Sequence, residues 1–175
     1  MTILIIILII IAIPLIAAVF IEKDYWIEKE VIINKPKQQV FDYIKFIRNQ
    51  NYYSKWQMMD PNVEMQYKGL DGTPGFSSAW KSNNKQVGQG EQTITAVEDG
   101  RKVDVAIHFI KPFEGHSTAY MTTDAVSENQ TNVKWGFNGS MKYPMNMMLV
   151  LMNIKKMVGN DLQTNLDNLK NLLEK

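Results

Sequence analysis

Hydrophobic and polar positions divide this chain into two parts that obey different rules. From Ile3 to Ile21 every residue except Pro14 is apolar, and no charged side chain precedes Glu22. A helix over this run extends about 28 Å at about 1.5 Å per residue, close to the ~30 Å hydrocarbon thickness of a bilayer. Residues 1–21 are therefore expected to form a single transmembrane anchor. A cleaved signal peptide would show a basic n-region, a shorter apolar stretch and a small-x-small site. Here only Met1-Thr2 precede the run, and Ala17-Ala18 makes a poor cleavage site. A buried core helix would carry some polar face, which this run lacks. Lys23, Lys29, Lys35 and Lys37 follow it, so the positive-inside rule places the next domain on the cytoplasmic side.

Residues 22–175 carry the periodicities of one globular domain. Tyr25 to Asn34 reads as a first strand, closed by Asn34-Lys35-Pro36. Pro36 suits the opening of a helix, and Val40, Phe41, Ile44 and Ile47 form its apolar stripe. A second short helix is expected over 49–56 and a strand over 63–67. Strands then follow at 76–82, 90–98, 102–110, 117–126 and 132–141, separated by turn residues. Asp99-Gly100 is the dipeptide of a two-residue hairpin. In 102–110, Val103, Val105, Ile107 and Phe109 alternate with Asp104, Ala106 and His108, so one face meets a core. Hairpin-linked strands make the sheet antiparallel. Met147, Leu151, Ile154, Val158, Leu162, Leu166, Leu169 and Leu173 form one stripe of a long helix over 146–174. Gly159 within it marks a bend or a close approach to the sheet.

Composition narrows the chemistry. In 175 residues, 19 Lys+Arg against 18 Asp+Glu leave a net charge of +1, too little to displace counterions from nucleic-acid phosphates, so nucleic acid is not an expected partner. The absence of cysteine removes disulfides, thiolate metal sites and a cysteine nucleophile. Two separated histidines supply no converging ligand set, and no metal or cofactor is expected. Gly88-Gln89-Gly90 enters a strand rather than a helix and is no dinucleotide fingerprint.

The segments INKPKQQVFDYI (33–44), VGQGEQTITAVEDGRKVDVAIHF (87–109), KPFEG (111–115), TNVKWGFNGSMKYPMN (131–146) and VGNDLQTNLDNLKNLLE (158–174) carry a resemblance in their order and spacing. From about Ile27 to Leu173 the chain resembles the START/Bet v1-like (SRPBCC) superfamily, in its polyketide cyclase/dehydrase and lipid transport-like branch. The resemblance implies an α+β helix-grip fold: a seven-stranded antiparallel sheet wrapped around a long C-terminal helix, with a cavity between them. It also implies a lipid or another hydrophobic small molecule as ligand. A membrane-tethered, non-catalytic binding domain is the first expectation. A cyclase/dehydrase-type enzyme and a chaperone-activator-like interaction domain are the alternatives.

Trp56, Trp80, Trp135 and Phe137 are the large aromatics expected along such a cavity, where their competing role is structural anchoring. Met141, Met148 and Met152 belong to a methionine-rich stretch that could form an adaptable wall or merely fill core space. An enzyme would need a positioned acid or base. His108 is expected on the solvent face and His116 in a hairpin turn, so Glu91 and Tyr67 remain the candidates for inward-facing ionisable groups.

Overall fold

The computed structural model describes the backbone of residues 2–175 and the side chains of Ile3 and residues 12–175. Helix α1 spans Thr2–Phe20. Among the described residues no helix is long and apolar enough to cross a membrane. The expected anchor over 1–21 rests mainly on residues 4–11, whose side chains lie outside those described.

Strand β1 (Asp24–Ile33) leads into α2 (Lys37–Ile44), a 3₁₀ helix (Ile47–Tyr52) and α3 (Lys55–Met58). The strands β2 (Glu64–Lys68), β3 (Ser77–Lys81), β4 (Gln89–Glu98), β5 (Lys102–Lys111), β6 (Gly115–Ser127) and β7 (Gln130–Ser140) follow. All pairings are antiparallel, in the order β1-β7-β6-β5-β4-β3-β2. With its C-terminal helix this sheet has the helix-grip architecture.

Two local expectations require correction. Glu98 pairs with Lys102, so the β4–β5 loop holds three residues rather than two. Arg101 donates its N–H to the Glu98 carbonyl at 2.9 Å, and Gly100 takes φ +67°, a conformation that favours glycine. The expected long terminal helix is two helices, α4 (Met147–Leu151) and α5 (Ile154–Leu173). Asn153 stands between them at φ +47°, in the left-handed region that asparagine tolerates better than most residues. Gly159 marks a close approach. A Cβ there would lie 3.3 Å from Lys29 Cε and 3.5 Å from Ile27 Cγ2.

Registers sort the concave face into rows. Phe76, Ile94, Val105, Ala119, Phe137 and Ile27 form one row across the sheet and are all buried. The next row towards the β4–β5 turn contains Val103, Met121 and Trp135, also buried. Val40, Phe41 and Ile44 of α2, with Leu162, Leu166 and Leu169 of α5, complete this closed half of the core. These side chains fill the space between helix and sheet here.

The C-terminal end of α5 is fastened to β1. Asn34 donates its N–H to Glu174 Oε1 at 2.6 Å, and Lys170 Nζ donates to the Ile32 carbonyl at 2.6 Å. The Asn34 N–H, helped by Lys170, holds the Glu174 carboxyl below its ordinary value of 4.5. Because the folded-state pKa is depressed, this contribution is present above the unfolded value and is lost as pH falls through the folded one. Glu174→Gln should therefore destabilise the protein at neutral pH by no more than about 1 kcal/mol, the ceiling for such exposed pairs. In urea titrations the gap between the two proteins should close as the pH is taken well below 4.5. A gap that persists in acid would contradict this role.

Candidate functional site

Beyond the buried rows the concave face opens in part, at Ile107, Ser117 and Tyr25, while Ser78 and Gln92 remain buried. Ser78, Gln92, Ile107, Ser117, Gly139 and Tyr25 lie in register across the sheet, followed by Met65, Trp80, Gly90 and Phe109. Ile107, Phe109, Trp80 and Tyr25 are only half-buried, although each points to the same side as the core. Helix α5 packs along β1 and meets α3 and β7, and its first turns carry Val158, half-buried against the same cluster. The result is an apolar trough, closed at one end by the packed core and open at the other. At that edge of the sheet an open cleft of about 630 Å³ lies mainly on the convex side, lined by Trp26, His116, Thr118 and Asn138, and reaches Tyr25, Ser117 and Gly139 at the trough's end. On this side of the sheet the half-buried side chains line a trough open to the exterior.

The structure distributes the nine expected site residues unevenly. Trp80 lines the trough, edge-on to Phe109 at 6.0 Å, with its Nε1 donating to the Val87 carbonyl at 3.1 Å. Phe137 stands in the adjoining buried row, 6.1 Å from the Tyr25 ring. Trp135 lies deeper, edge-on to Tyr53 at 6.1 Å. Trp56, on α3, is half-buried against the core. Tyr67 also faces inward, but stacks on Phe76 at 6.1 Å, lies beneath the Arg48 guanidinium at 4.4 Å and accepts a 2.7 Å hydrogen bond from Asn51 Nδ2. Met141 follows β7 and donates its N–H to the Lys23 carbonyl. Met148 is half-buried in α4, and Met152 is exposed.

Glu91 requires correction. It stands in register with His108 and Ala79, on the convex face, because its neighbours Gly90 and Gln92 occupy the inward positions. His116 also departs from expectation, since it lies in β6 and stacks on His108 at 4.4 Å, outside the trough. No strand residue facing the trough is a carboxylate or an imidazole. The inward phenols of Tyr53 and Tyr25 are pushed up by burial, so at neutral pH they hold their protons and act as donors rather than bases. Among the described residues no three His, Asp or Glu side chains converge to hold a metal ion. The convex face carries the ionic pairs of Lys102 with Asp104 and of Lys134 with Glu28 and Glu30, beside exposed Trp26 and Ile32.

Sequence reasoning missed Tyr25, Gln50, Gln92 and Ser117. Gln92 Nε2 donates to Gln50 Oε1 at 2.9 Å, joining β4 to the 3₁₀ helix beside Ser78. Nothing local links residues 42 positions apart. Alternation reveals Ile107 and Phe109 as inward, but not as half-open.

The model of the family described as polyketide cyclase / dehydrase and lipid transport matches residues 27–174. No curated protein matches at the level of sequence. Among solved structures, truncated norcoclaurine synthase from Thalictrum flavum superposes with a TM-score of 0.64 at 10% identity, covering 87% of this chain and 96% of that one. The same enzyme in complex with dopamine and hydroxybenzaldehyde gives 0.63 at 11%, covering 86% of each chain. A protein from Thermus thermophilus gives 0.61 at 15%, covering 84% and 95%. At these identities the likeness concerns the fold.

Proposed function

Since the chain belongs to the polyketide cyclase / dehydrase and lipid transport family, we propose that it binds a lipid or similar hydrophobic molecule in the open trough without transforming it. At the family level the match supports hydrophobic-ligand binding or cyclase-type chemistry. The observation that favours binding is the trough itself: half-exposed Trp80, Ile107, Phe109 and Tyr25 on the core side of the sheet, with no carboxylate or imidazole among the strand residues beside them. Apolar side chains left partly in water gain about 25 cal/mol per Å² when a ligand covers them. The Gln50–Gln92 pair and Ser117 supply polar points that would orient a headgroup or hydroxyl. Acid–base chemistry would need a titrating group at the ligand, and the nearest histidines stack on the other face.

The apolar run 3–21 supports a second element of this reading, a tether that keeps the trough beside the membrane from which its ligand comes. In that arrangement the domain stands on the cytoplasmic side. Tethering raises the effective concentration of a bilayer-partitioned ligand without any new contact.

Photolabelling tests the binding. Membranes containing the full chain and a phosphatidylcholine with a diazirine in its acyl tail are irradiated, and the adducts are mapped by peptide mass spectrometry. Adducts on the inward residues of β3 to β5, above all Trp80, Ile107 and Phe109, are expected in addition to any on α1. Adducts on α1 alone would remove the reading.

A further inference from the structure

We infer that α4 and the residues flanking it dock into the bilayer interface, so that the trough opens directly onto lipid. This inference rests on the tether reading above and specifies how the domain stands on the membrane. Its starting point is where the chain turns. Asp24 pairs with Ser140 at the open end of the trough, so α1 enters the domain and β7 leaves it at the same edge of the sheet. The β5–β6 turn, with Phe113 exposed, lies at that edge as well. The β4–β5 and β6–β7 turns lie at the opposite edge.

The connection from α1 to the domain is short and held. Only residues 21–23 separate α1 from β1, a span of at most about 10 Å. The last carbonyls of a helix lack intrahelical partners. Asn146, fully buried, donates its Nδ2 to the carbonyls of Ala18 at 2.7 Å and Ile21 at 2.9 Å. Asn146 immediately precedes α4. The same residue therefore caps the apolar helix and fixes α4 beside its end, and wherever that end meets a bilayer, α4 must lie in the boundary region.

The side chains of α4 suit that region. Val150 is 62% exposed, Leu151 71% and Met152 52%, a consecutive apolar run that a domain facing water alone would bury. The break at Asn153 turns these residues away from the stripe continued by α5. Lys142, Lys155 and Lys156 flank the run, with Lys23 and Lys111 at the same edge. Opposing charges there are Glu22, which reaches Lys155 at 3.9 Å, Asp24 and Glu114. An apolar strip bordered by an excess of lysines is the pattern of an interfacial segment on an anionic leaflet.

The chain contains no cysteine, so single cysteines can be placed and labelled with the environment-sensitive fluorophore NBD in the full-length protein. Leu151→Cys reports α4, Ile16→Cys reports α1, and Glu128→Cys reports the β6–β7 turn. The proteins are reconstituted into phosphatidylcholine–phosphatidylglycerol vesicles with or without lipid carrying a doxyl quencher near the headgroup end of its acyl chain. The label at 151 should be blue-shifted and lose as large a fraction of its emission to the quencher as the label at 16, while the label at 128 loses none. Quenching at 16 with a 151 signal like that at 128 would overturn the docking and leave the tether standing. Quenching at 151 but not at 16 would support α4 docking and overturn the tether. Quenching at neither would overturn both.

Discussion

Ile107→Glu should reduce photolabelling of the concave face by about tenfold or more. Ile107 occupies the centre of the open row, between Gln92 and Ser117. A carboxylate there must either remain ionised against an apolar ligand or take up a proton, and both weaken binding. A loss of about 1.4 kcal/mol already corresponds to tenfold in affinity. Ile107 itself is only half-buried, so the new carboxylate keeps a path to water in the free protein, and the variant should still fold, as circular dichroism and a cooperative melt would report. Ala106→Glu provides the control. Its side chain lies on the convex face of the same strand, in register with Thr93 and Thr118, and labelling should stay at the level of the unmodified protein. Equal loss from both variants would mean that the effect belongs to the strand and not to the trough.

A second large effect separates two leucines that hydrophobic periodicity treats alike. Leu166→Ala should destabilise the domain by about 2–5 kcal/mol, because Leu166 is fully buried in the closed half and truncation leaves a cavity. Leu151→Ala should change stability by no more than about 0.5 kcal/mol, as expected for an exposed position with little packing. Thermal or urea unfolding of both variants reads the difference. Comparable losses at the two positions would restore the single continuous helix over 146–174 and remove the exposed strip on which the docking of α4 depends.

That pair shows where the sequence was legible. The strands could be read because alternation is local and each is bounded by turn residues, as in Val103, Val105, Ile107 and Phe109. The stripe from Val158 to Leu169 could be read because each member meets the core. The break ahead of it could not, since the stripe continues numerically through Met147 and Leu151 and Asn153 differs from its neighbours only in a backbone angle. Asn146 was similarly opaque, because its two acceptors lie more than a hundred residues away.

The position of Glu91 failed for a different reason. The inward set of early β4 is Gly90 and Gln92, with the first hydrophobic residue only at Ile94 and an irregular register between Ile94 and Ala96. A glycine reads as a gap in the pattern, yet at Gly90 the space is taken by the Trp80 indole, whose Cζ2 would stand 2.5 Å from an added Cβ. Trp80 thus conceals the phase of the strand it packs against. Once that phase is corrected, Glu91, one of the two candidates for an inward-facing ionisable group, leaves the trough, and the remaining inward strand residues there are mostly apolar.

The most direct measurement of ligand binding is native mass spectrometry of the full chain released from mild detergent. The unmodified protein should carry a discrete adduct with the mass of a lipid or comparable apolar molecule, and Ile107→Glu prepared identically should carry none. Bare protein mass for both, across lipid extracts offered in excess, would contradict the assignment of the trough as a ligand site.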